Sequence, residues 1–368
     1  MKATLFRLIF LLLIFSNYIF CQTPPHWDIQ SVQKPKENPI ISADSNYSFK
    51  NPLDQKIVFW QKAEVFNPAV IIRKGKLHLL FRAEDNPKAM LGHRTSRIGL
   101  ATSRDGFHFK KHPKPVLFPT KDGFQKYDSV GGCEDPRVVE TPNGQYLMAY
   151  TAWDGNTARL SIAISKNLKK WKKMGPAFGK AYGGKYLNLW SKSGSMVTKF
   201  ENNKPILAKL NGKYWMYWGE AFINLAWSEN LADWYPLEDE KGNLKQLVKT
   251  RSGYFDSSLT ECGPPAVYTS KGIALLYNGR NAENDTADPT FPKATYTVGQ
   301  VIFDPNNLEM VIERSEKPFI KPTLPHEISG QYQAGTTFAE GLVFFKNKWW
   351  LYYGTADSYV GLAIMNPL

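Results

Sequence analysis

Short apolar segments recur along the chain from about residue 57 to its C-terminal end. One kind leads from a Gly or Asn turn into an aromatic-rich segment whose apolar positions alternate, as in a half-buried β-strand. Its five copies are GKLHLLFRA from Gly75, GQYLMAYTA from Gly144, GKYWMYWGE from Gly212, KGIALLYNG from Lys271 and NKWWLYYGT from Asn347. Helical periodicity is nearly absent, so the sequence predicts an all-β chain.

Two further apolar segments accompany each aromatic one. The preceding segments read NPAVII, EDPRVV, SGSMVT, GPPAVY and TFAEGLVFF, and the following ones resemble IGLATSRDGFHF from Ile98. The same set of short strands thus returns five times, at a spacing of roughly sixty residues, which is typical of propeller blades. We therefore predict a five-bladed β-propeller over residues 57–368. A two-sheet sandwich is the main alternative, but it does not explain the fivefold order.

The first 21 residues form a separate segment. Lys2 and Arg7 precede an apolar run over residues 8–15, which is too short to span a bilayer. Residues 1–21 are therefore predicted to be a signal peptide, with cleavage near Cys21, and the protein is expected to be exported to the periplasm or the medium. Lipid anchoring at Cys21 is the less favoured alternative, because small residues are missing before it.

Residues 22–56 carry several Pro and Asn residues and are predicted to be a leader that wraps around the propeller. The strand-like segment IVFWQKAEVF from Ile57 is expected to help close the ring. No later segment approaches 18 apolar residues, so we expect no transmembrane segment in the mature chain.

Composition narrows the possible partners. The formal net charge is +13, but the basic residues are scattered and no nucleic-acid-binding motif is present, so a solvated lysine-rich surface is favoured over a nucleic-acid interface. The six His residues show no metal-binding spacing, and neither a metal nor a cofactor is predicted. Cys133 and Cys262 are expected to be buried free thiols rather than one disulfide bridge.

Polar residues at the ends of the predicted strands are the candidates for chemistry, because the innermost strands of a propeller line a central channel. The inner segments carry Asn67, Glu134, Asp135, Arg137, Lys192, Ser193, Glu261 and Glu340, and the ends of the aromatic segments carry Arg82, Glu84, Asp85, Glu220, Asn278, Arg280 and Asp357. Carboxylates that converge from several blades suit glycosidic bond cleavage, which needs a proton donor and a second carboxyl group. Taken singly, each acid is more often a turn or loop residue; Asp135 precedes a proline, as turn residues often do.

Aromatic residues are unusually frequent, with 11 Trp, 18 Tyr and 22 Phe. Most belong to the recurring strands and are expected to form the core. Trp153, Trp190 and Trp218 are candidates for stacking on a sugar ring, although each is more often a core residue.

Several motifs in a fixed order resemble glycoside hydrolase family 130. They are NPAV (Asn67), LLFRAED (Leu79), RIGLATSRDGFHF (Arg97), GCEDPRV (Gly132), YTAWD (Tyr150), KSGSM (Lys192), GPPAVYT (Gly263), LLYNGRN (Leu275) and YYGTADSYVGLA (Tyr352). The similarity extends over nearly the whole chain from about Asn67. It implies a five-bladed propeller that acts on β-mannosides, either as a phosphorylase or as a hydrolase.

The resemblance also implies roles for individual residues. Asp135 matches the general acid of a single-displacement, inverting reaction, which in the family's phosphorylases passes its proton through a mannose hydroxyl. We expect burial beside Glu134 to raise the pKa of Asp135, so that it keeps its proton near neutral pH. The positions that resemble sugar-binding residues are Asn67, Arg82, Asp85 and Asp357; Glu134, Arg137, Lys192 and Asn278 are added as substrate-binding candidates.

Phosphorylases of the family hold phosphate with basic side chains near the channel. Here Glu220 and Glu261 stand in the corresponding region, and two carboxylates repel an anion and favour water as the attacking group. The resemblance therefore indicates the hydrolase branch, which acts on β-1,2-mannosides, with Glu220, Glu261 or both activating water. Lys192 retains part of the basic set, so a phosphorylase is the first alternative. A non-catalytic glycan-binding propeller is the second alternative.

Overall fold

The computed structural model describes residues 27, 29–89, 93–201 and 204–367. This part of the chain is nearly all β, as the sequence predicts, with one α-helical turn at Gln125–Asp128 and 3₁₀ turns at Ala181–Gly184 and Pro325–Glu327. The predicted signal peptide, residues 1–21, lies outside the described residues. Within those residues, no helix has the length and apolar character needed to cross a membrane.

The strands form five antiparallel units in chain order, after three short strands, β1 (Ile29–Gln33), β2 (Phe49–Lys50) and β3 (Ile57–Val58). The first unit contains β4 (Glu64–Arg73), β5 (Lys76–Glu84), β6 (Ser96–Ser103) and β7 (Lys110–Lys111), and the second contains β8 (Gly132–Glu140), β9 (Tyr146–Trp153), β10 (Ala158–Ser165) and β11 (Trp171–Pro176). The third contains β12 (Gly194–Glu201), β13 (Lys204–Leu207), β14 (Lys209–Leu210), β15 (Lys213–Trp218), β16 (Ile223–Ser228), β17 (Tyr235–Pro236) and β18 (Gln246–Val248). The fourth contains β19 (Leu259–Cys262), β20 (Ala266–Thr269), β21 (Gly272–Arg280), β22 (Tyr296–Phe303) and β23 (Val311–Arg314), and the fifth contains β24 (Phe338–Phe345), β25 (Lys348–Thr355) and β26 (Tyr359–Pro367). The five aromatic segments are β5, β9, β15, β21 and β25.

The N-terminal segment supplies the fourth strand of the last unit. Strand β1 pairs antiparallel with β26, with Val32 opposite Met365. The start of the segment from Ile57, strand β3, pairs with β2, whereas its later residues Trp60 and Val65 lie in the apolar cluster between the first and the last unit. The predicted leader is thus partly a sheet strand, fixed further by an ion pair of 2.6 Å between Lys34 Nζ and the buried Glu327 Oε1.

Five apolar clusters form the core, and each lies between two units. Alternation along the strands divides their side chains between neighbouring clusters: Leu79 and Phe81 of β5 pack toward the fifth unit, whereas Leu80 packs toward the second. The cluster that contains Phe81 also contains Tyr352 of β25, so the last unit packs against the first. Cys133 and Cys262 belong to two of these clusters and are buried and unbridged, as predicted.

Two cavities lie at opposite ends of the same inner strands. Residues of all five units line a small apolar cavity, among them Val70, Val138, Thr198, Val267 and Val343. The opposite cavity is polar. It is lined by residues early in the inner strands, such as Asn67 and Asp135, and by residues at the ends of the aromatic segments, such as Arg82 and Glu220. The fold therefore gathers both groups of predicted polar candidates around one cleft.

Candidate active site

The polar cleft has a volume of about 310 Å³. Eight of the predicted site residues line it: Asn67, Arg82, Glu134, Asp135, Lys192, Glu220, Glu261 and Asp357. The remaining lining residues are mostly aromatic: Phe66, Trp153, Trp190, Tyr296, Tyr332, Thr336 and Phe338. Five carboxyl groups and two cations thus share a cleft with aromatic walls, a composition suited to a neutral, hydroxyl-rich ligand.

β-Bulges aim the side chains of the inner strands into the centre. The pairing register of β4, β8 and β24 shifts at Asn67, at Asp135 and at Glu340, so each of these residues leaves the ladder. Asn67 and Asp135 have left-handed backbones, with φ of 47° and 50°, which non-glycine residues adopt at a cost. Gly354 leaves room for this arrangement, since a Cβ there would lie 1.9 Å from Asn67 Oδ1.

Arg82 holds the acids of the first and second units together. Its Nη2 lies 2.7 Å from Glu84 Oε1 and 2.9 Å from Glu134 Oε1. Its Nη1 lies 3.3 Å from Asp135 Oδ1, which also accepts a hydrogen bond of 2.9 Å from Asn67 Nδ2. One guanidinium therefore fixes Glu134 and Asp135 side by side in the cleft wall.

Lys192 stands beside the acids of the third and fourth units. Its Nζ lies 3.4 Å from Glu220 Oε1, and Trp190 Nε1 donates a hydrogen bond of 2.6 Å to Glu220 Oε2. Ser193, the next residue, donates a short hydrogen bond to Glu261 Oε1. Burial opposes the charge of Lys192, but the surrounding carboxylates outweigh it and raise its pKa, so the ammonium stays protonated.

Arg137 is buried behind the cleft and connects three units. Its Nη1 donates to the backbone oxygen of Asp135 at 3.1 Å, and its Nη2 donates to the backbone oxygen of Cys262 at 2.9 Å. Glu340 Oε1 of the fifth unit lies 3.0 Å from the same Nη1. Complete burial raises the pKa of Glu340 well above its usual range, although the charge of Arg137 opposes this shift.

In the Glu134 and Asp135 pair, the carboxyl group with the raised pKa is Glu134 and not Asp135, as the sequence had led us to expect. Burial favours the neutral form of Asp135, but Arg82, Lys192, Arg137 and the Asn67 hydrogen bond together lower its pKa. Burial, reinforced by the charge of Asp135, raises the pKa of Glu134 instead. The expected raised pKa of Asp135 is therefore wrong for the ligand-free protein, because cations surround this carboxylate more closely than the sequence indicates.

Two more carboxyl groups of the cleft bind protons tightly. Burial and then the charge of Glu220 raise the pKa of Glu261 to about 8. Burial also raises the pKa of Asp357 to about 6, with the charges of Asp135 and Glu84 adding to it and Arg82 opposing it. At pH 7 Glu261 consequently carries a proton.

This proton should be measurable as a pH dependence of stability. Because the native state holds it more tightly than the unfolded chain, the free energy of unfolding is expected to fall as pH rises between the ordinary glutamate pKa near 4.5 and about 8. The Glu261 contribution approaches ~1.4 kcal/mol per pH unit within this window. Urea titrations at pH 5, 6, 7 and 8 should show a smaller slope for Glu261→Gln than for wild type. The exposed Glu313→Gln is the control, and an unchanged slope in Glu261→Gln would contradict the assignment.

Three predicted substrate-binding residues have other partners. Asp85 Oδ2 accepts from Arg97 Nη1 at 2.7 Å, outside the cleft lining. Asn278 Nδ2 donates to the backbone oxygen of Ala339, and its Oδ1 accepts from the backbone N–H of the same residue. Arg137 lies behind the cleft, as described above. Of the three tryptophan candidates, Trp153 and Trp190 line the cleft, whereas Trp218 is buried against Phe178 with ring centroids 4.6 Å apart.

Sequence reasoning missed an aromatic wall on the side of the fourth and fifth units. Tyr296 packs against Tyr332 and Phe338 at centroid distances of 5.4 and 5.9 Å. Tyr296 and Phe338 begin β22 and β24, so their position at strand starts was a usable signal. Tyr332 and Thr336 lie in the connection between β23 and β24, outside the recurring segments, so the repeat gave no means of finding them.

The family relationship follows from comparison with known proteins. The model of glycoside hydrolase family 130, described as beta-1,4-mannooligosaccharide phosphorylase, matches residues 31–367. The chain belongs to glycoside hydrolase family 130. Enzymes of family 130 act on β-mannosidic linkages. A family relative, a 1,2-beta-oligomannan phosphorylase of Thermoanaerobacter sp. (strain X514), is 31% identical over 310 residues, which cover 83% of this chain and 91% of that protein.

Two solved structures have a higher sequence identity to this chain than that relative. One structure comes with the description "The GH130 family of mannoside phosphorylases contains glycoside hydrolases that target beta-1,2 mannosidic linkages in Candida mannan". It is 48% identical, with a TM-score of 0.91, and the match covers 93% of this chain and 96% of that one. A glycosyl hydrolase from Bacteroides ovatus is 47% identical, with a TM-score of 0.90 and coverage of 93% and 95%.

Proposed function

We propose that this chain is an inverting glycoside hydrolase that cleaves β-1,2-linked mannosides by single displacement. One observation carries the choice of water over phosphate: each cation among the described cleft residues already has a carboxylate partner. Arg82 contacts Glu134 and Asp135, and Lys192 contacts Glu220. A phosphate dianion would have to displace these carboxylates while lying beside them, which Coulomb repulsion disfavours.

Asp135 is the proposed proton donor to the leaving oxygen. The proton is held by the Glu134 and Asp135 pair, whose members share Arg82 and titrate together. In the ligand-free protein Glu134, whose pKa is raised, binds a proton more readily than Asp135, whose pKa is lowered. We propose that substrate binding moves this proton to Asp135, from which it reaches the glycosidic oxygen as the bond to the anomeric carbon breaks.

Glu220 is the proposed base. Glu261 carries a proton at pH 7, so it suits hydrogen bonding to the attacking water better than deprotonating it. Glu220 lies next to Lys192 and accepts the Trp190 N–H, which orients its carboxylate. Water activated by Glu220 would attack the anomeric carbon on the face opposite Asp135 and so invert the configuration.

Phosphate dependence is the test. Incubated with β-1,2-mannobiose in phosphate-free buffer, the protein is expected to release two mannose molecules, and proton NMR should show the newly formed reducing end first as the α-anomer. Added phosphate should change neither the rate nor the products. Glu220→Gln should lose activity by roughly 10²- to 10⁴-fold, whereas Glu313→Gln should not. A requirement for phosphate with release of mannose 1-phosphate would refute hydrolysis.

A β-mannoside phosphorylase is the second candidate. The curated relatives carry phosphorylase names, and Lys192 gives the cleft one ammonium group with which phosphate could interact. The product analysis above separates the two reactions.

We also infer that the five units are the blades of a β-propeller. The support is the core cluster between every two successive units, including the last and the first, and the contribution of all five units to both central cavities. A crystal structure would test this by showing whether the five inner strands surround one axis.

Export is a further proposal, supported by the basic and apolar pattern of residues 1–21. Fractionation of cells that express the full chain is expected to find the protein outside the cytoplasm, with Gln22 as its first residue. Recovery of the intact chain, beginning at Met1, from the cytoplasm would contradict this proposal.

A further inference from the structure

Trp190 stands apart from its neighbours in the cleft. Its side chain is 49% exposed, whereas Asp135 and Glu261 are buried. It lies in the connection between the 3₁₀ turn at Ala181–Gly184 and β12, and it lines the cleft. A single exposed tryptophan is ordinary on a protein surface, so its exposure alone indicates nothing.

The indole is nevertheless held in place. Its Nε1 donates a hydrogen bond of 2.6 Å to Glu220 Oε2. Trp153 packs against it edge-on, with a centroid distance of 5.6 Å and an interplanar angle of 68°, and Lys192 Nζ lies 5.5 Å from its ring centroid. An aromatic surface that is exposed and already ordered binds a ligand at a small entropic cost.

The size of the cleft indicates what would meet this surface. Its volume of about 310 Å³ is at the low end of the roughly 300–1,000 Å³ typical of small-ligand pockets. The two sugars that flank the scissile bond must reach the buried carboxylates, so a longer mannoside has to extend past the mouth of the cleft. The C–H face of a pyranose ring is apolar and suits the face of an indole.

We propose that Trp190 is the platform of an additional mannosyl subsite at the mouth of the cleft, and that its N–H orients the Glu220 carboxylate. The inference rests on the proposed action on β-mannosides. The N–H already donates to Glu220 in the ligand-free protein, so Trp190 acts as a positioning residue for Glu220 whether or not a sugar lies on its ring. The platform should therefore affect kcat/KM for longer mannosides, and the N–H should affect kcat on every substrate.

Two variants separate stacking from positioning. Trp190→Ala removes both the platform and the N–H, and it should lower kcat/KM for β-1,2-mannotriose about 3- to 10-fold more than for β-1,2-mannobiose, as expected for the loss of one stacking contact. Trp190→Phe keeps an aromatic ring but lacks the N–H. It should preserve most of the preference for the trisaccharide while lowering kcat on both substrates about tenfold, because a hydrogen bond to a charged group is lost.

Trp227→Phe is the matched control. Trp227 is also a partly exposed indole that stacks on a tyrosine, Tyr235, and lies under a lysine, Lys213, but it is outside the cleft lining. It should alter neither kcat nor the substrate preference. Equal kcat/KM losses on the two substrates with Trp190→Ala would overturn the subsite, and an unchanged kcat with Trp190→Phe would overturn the positioning of Glu220 by the Trp190 N–H.

The proposed hydrolysis can fail independently of this subsite. If wild type cleaves both substrates only with phosphate, hydrolysis is wrong, yet the ratio of the two kcat/KM values, measured with phosphate present, still tests Trp190. If wild type hydrolyses both substrates and Trp190→Ala leaves the ratio unchanged, the subsite alone is wrong.

Discussion

Asp135→Asn is expected to lower kcat for β-1,2-mannobiose by roughly 10²- to 10⁴-fold, the usual contribution of a well-placed general acid. An amide has nearly the same shape as the carboxyl group, and its oxygen can still accept from Asn67. The fold and the Michaelis constant should therefore change little while proton delivery is lost. Initial-rate kinetics, with a thermal unfolding curve for each protein, measure both effects.

Asp85→Asn is the informative partner for this variant. It makes the same chemical change at another acid that the sequence predicts to be a site residue. Asp85, however, pairs with Arg97 and lies outside the cleft lining. We expect it to keep most of the wild-type kcat. Wild-type activity in Asp135→Asn would remove Asp135 from its assigned role, and equal losses in both variants would show that the cleft extends to Asp85.

Arg82→Ala is expected to destabilise the protein by about 3–5 kcal/mol, the cost of removing one partner from a buried ion pair. The guanidinium contacts Glu84, Glu134 and Asp135, and all three are buried. Without it, their charges face one another in a region of low dielectric. Urea denaturation at pH 7 should show the loss directly.

The pH dependence of this loss distinguishes electrostatics from packing. The native pKa of Asp135 is lowered, so its interaction with cations stabilises the fold above the unfolded pKa and is lost as pH falls through the native one. The difference between wild type and Arg82→Ala should therefore narrow as pH is lowered below about 4. Arg82→Lys keeps the positive charge but lacks the branched guanidinium, and it should lower the free energy of unfolding by less than Arg82→Ala does. A difference that stays constant as pH is lowered below about 4 would indicate lost packing instead.

The recurring strands could be read from the sequence because each one carries its own pattern. The alternation of β5, with Leu79 and Phe81 on one side and Leu80 on the other, is a local property of the chain. The position of β1 is not local. Its partner β26 lies at the opposite end of the sequence, and the leader around it has no strand-like repeat to reveal the pairing.

The site was predictable to a similar extent. The sequence placed Asn67, Asp135 and Glu261 on inner strands, and the bulges that aim Asn67 and Asp135 explain why a proline follows each. The sequence did not show which polar residues have a structural role. Asn278 hydrogen-bonds to the backbone of Ala339 in the fifth unit, and Arg137 donates to the backbone oxygen of Cys262 in the fourth. The lowered pKa of Asp135 likewise depends on three cations from separate segments, whose convergence appears only in the folded chain.

The pairing of β1 with β26 makes the two ends of the chain meet during folding. Ser31 and Asn366, which are 335 positions apart, are joined by a side-chain hydrogen bond of 2.9 Å. Contacts of such large sequence separation form late, because the entropy of closing the loop must be paid first. Until β1 arrives, β26 presents unpaired N–H and C=O groups that can pair with another molecule. A fusion partner that slows the pairing of β1 with β26 is thus expected to lower the yield of folded protein.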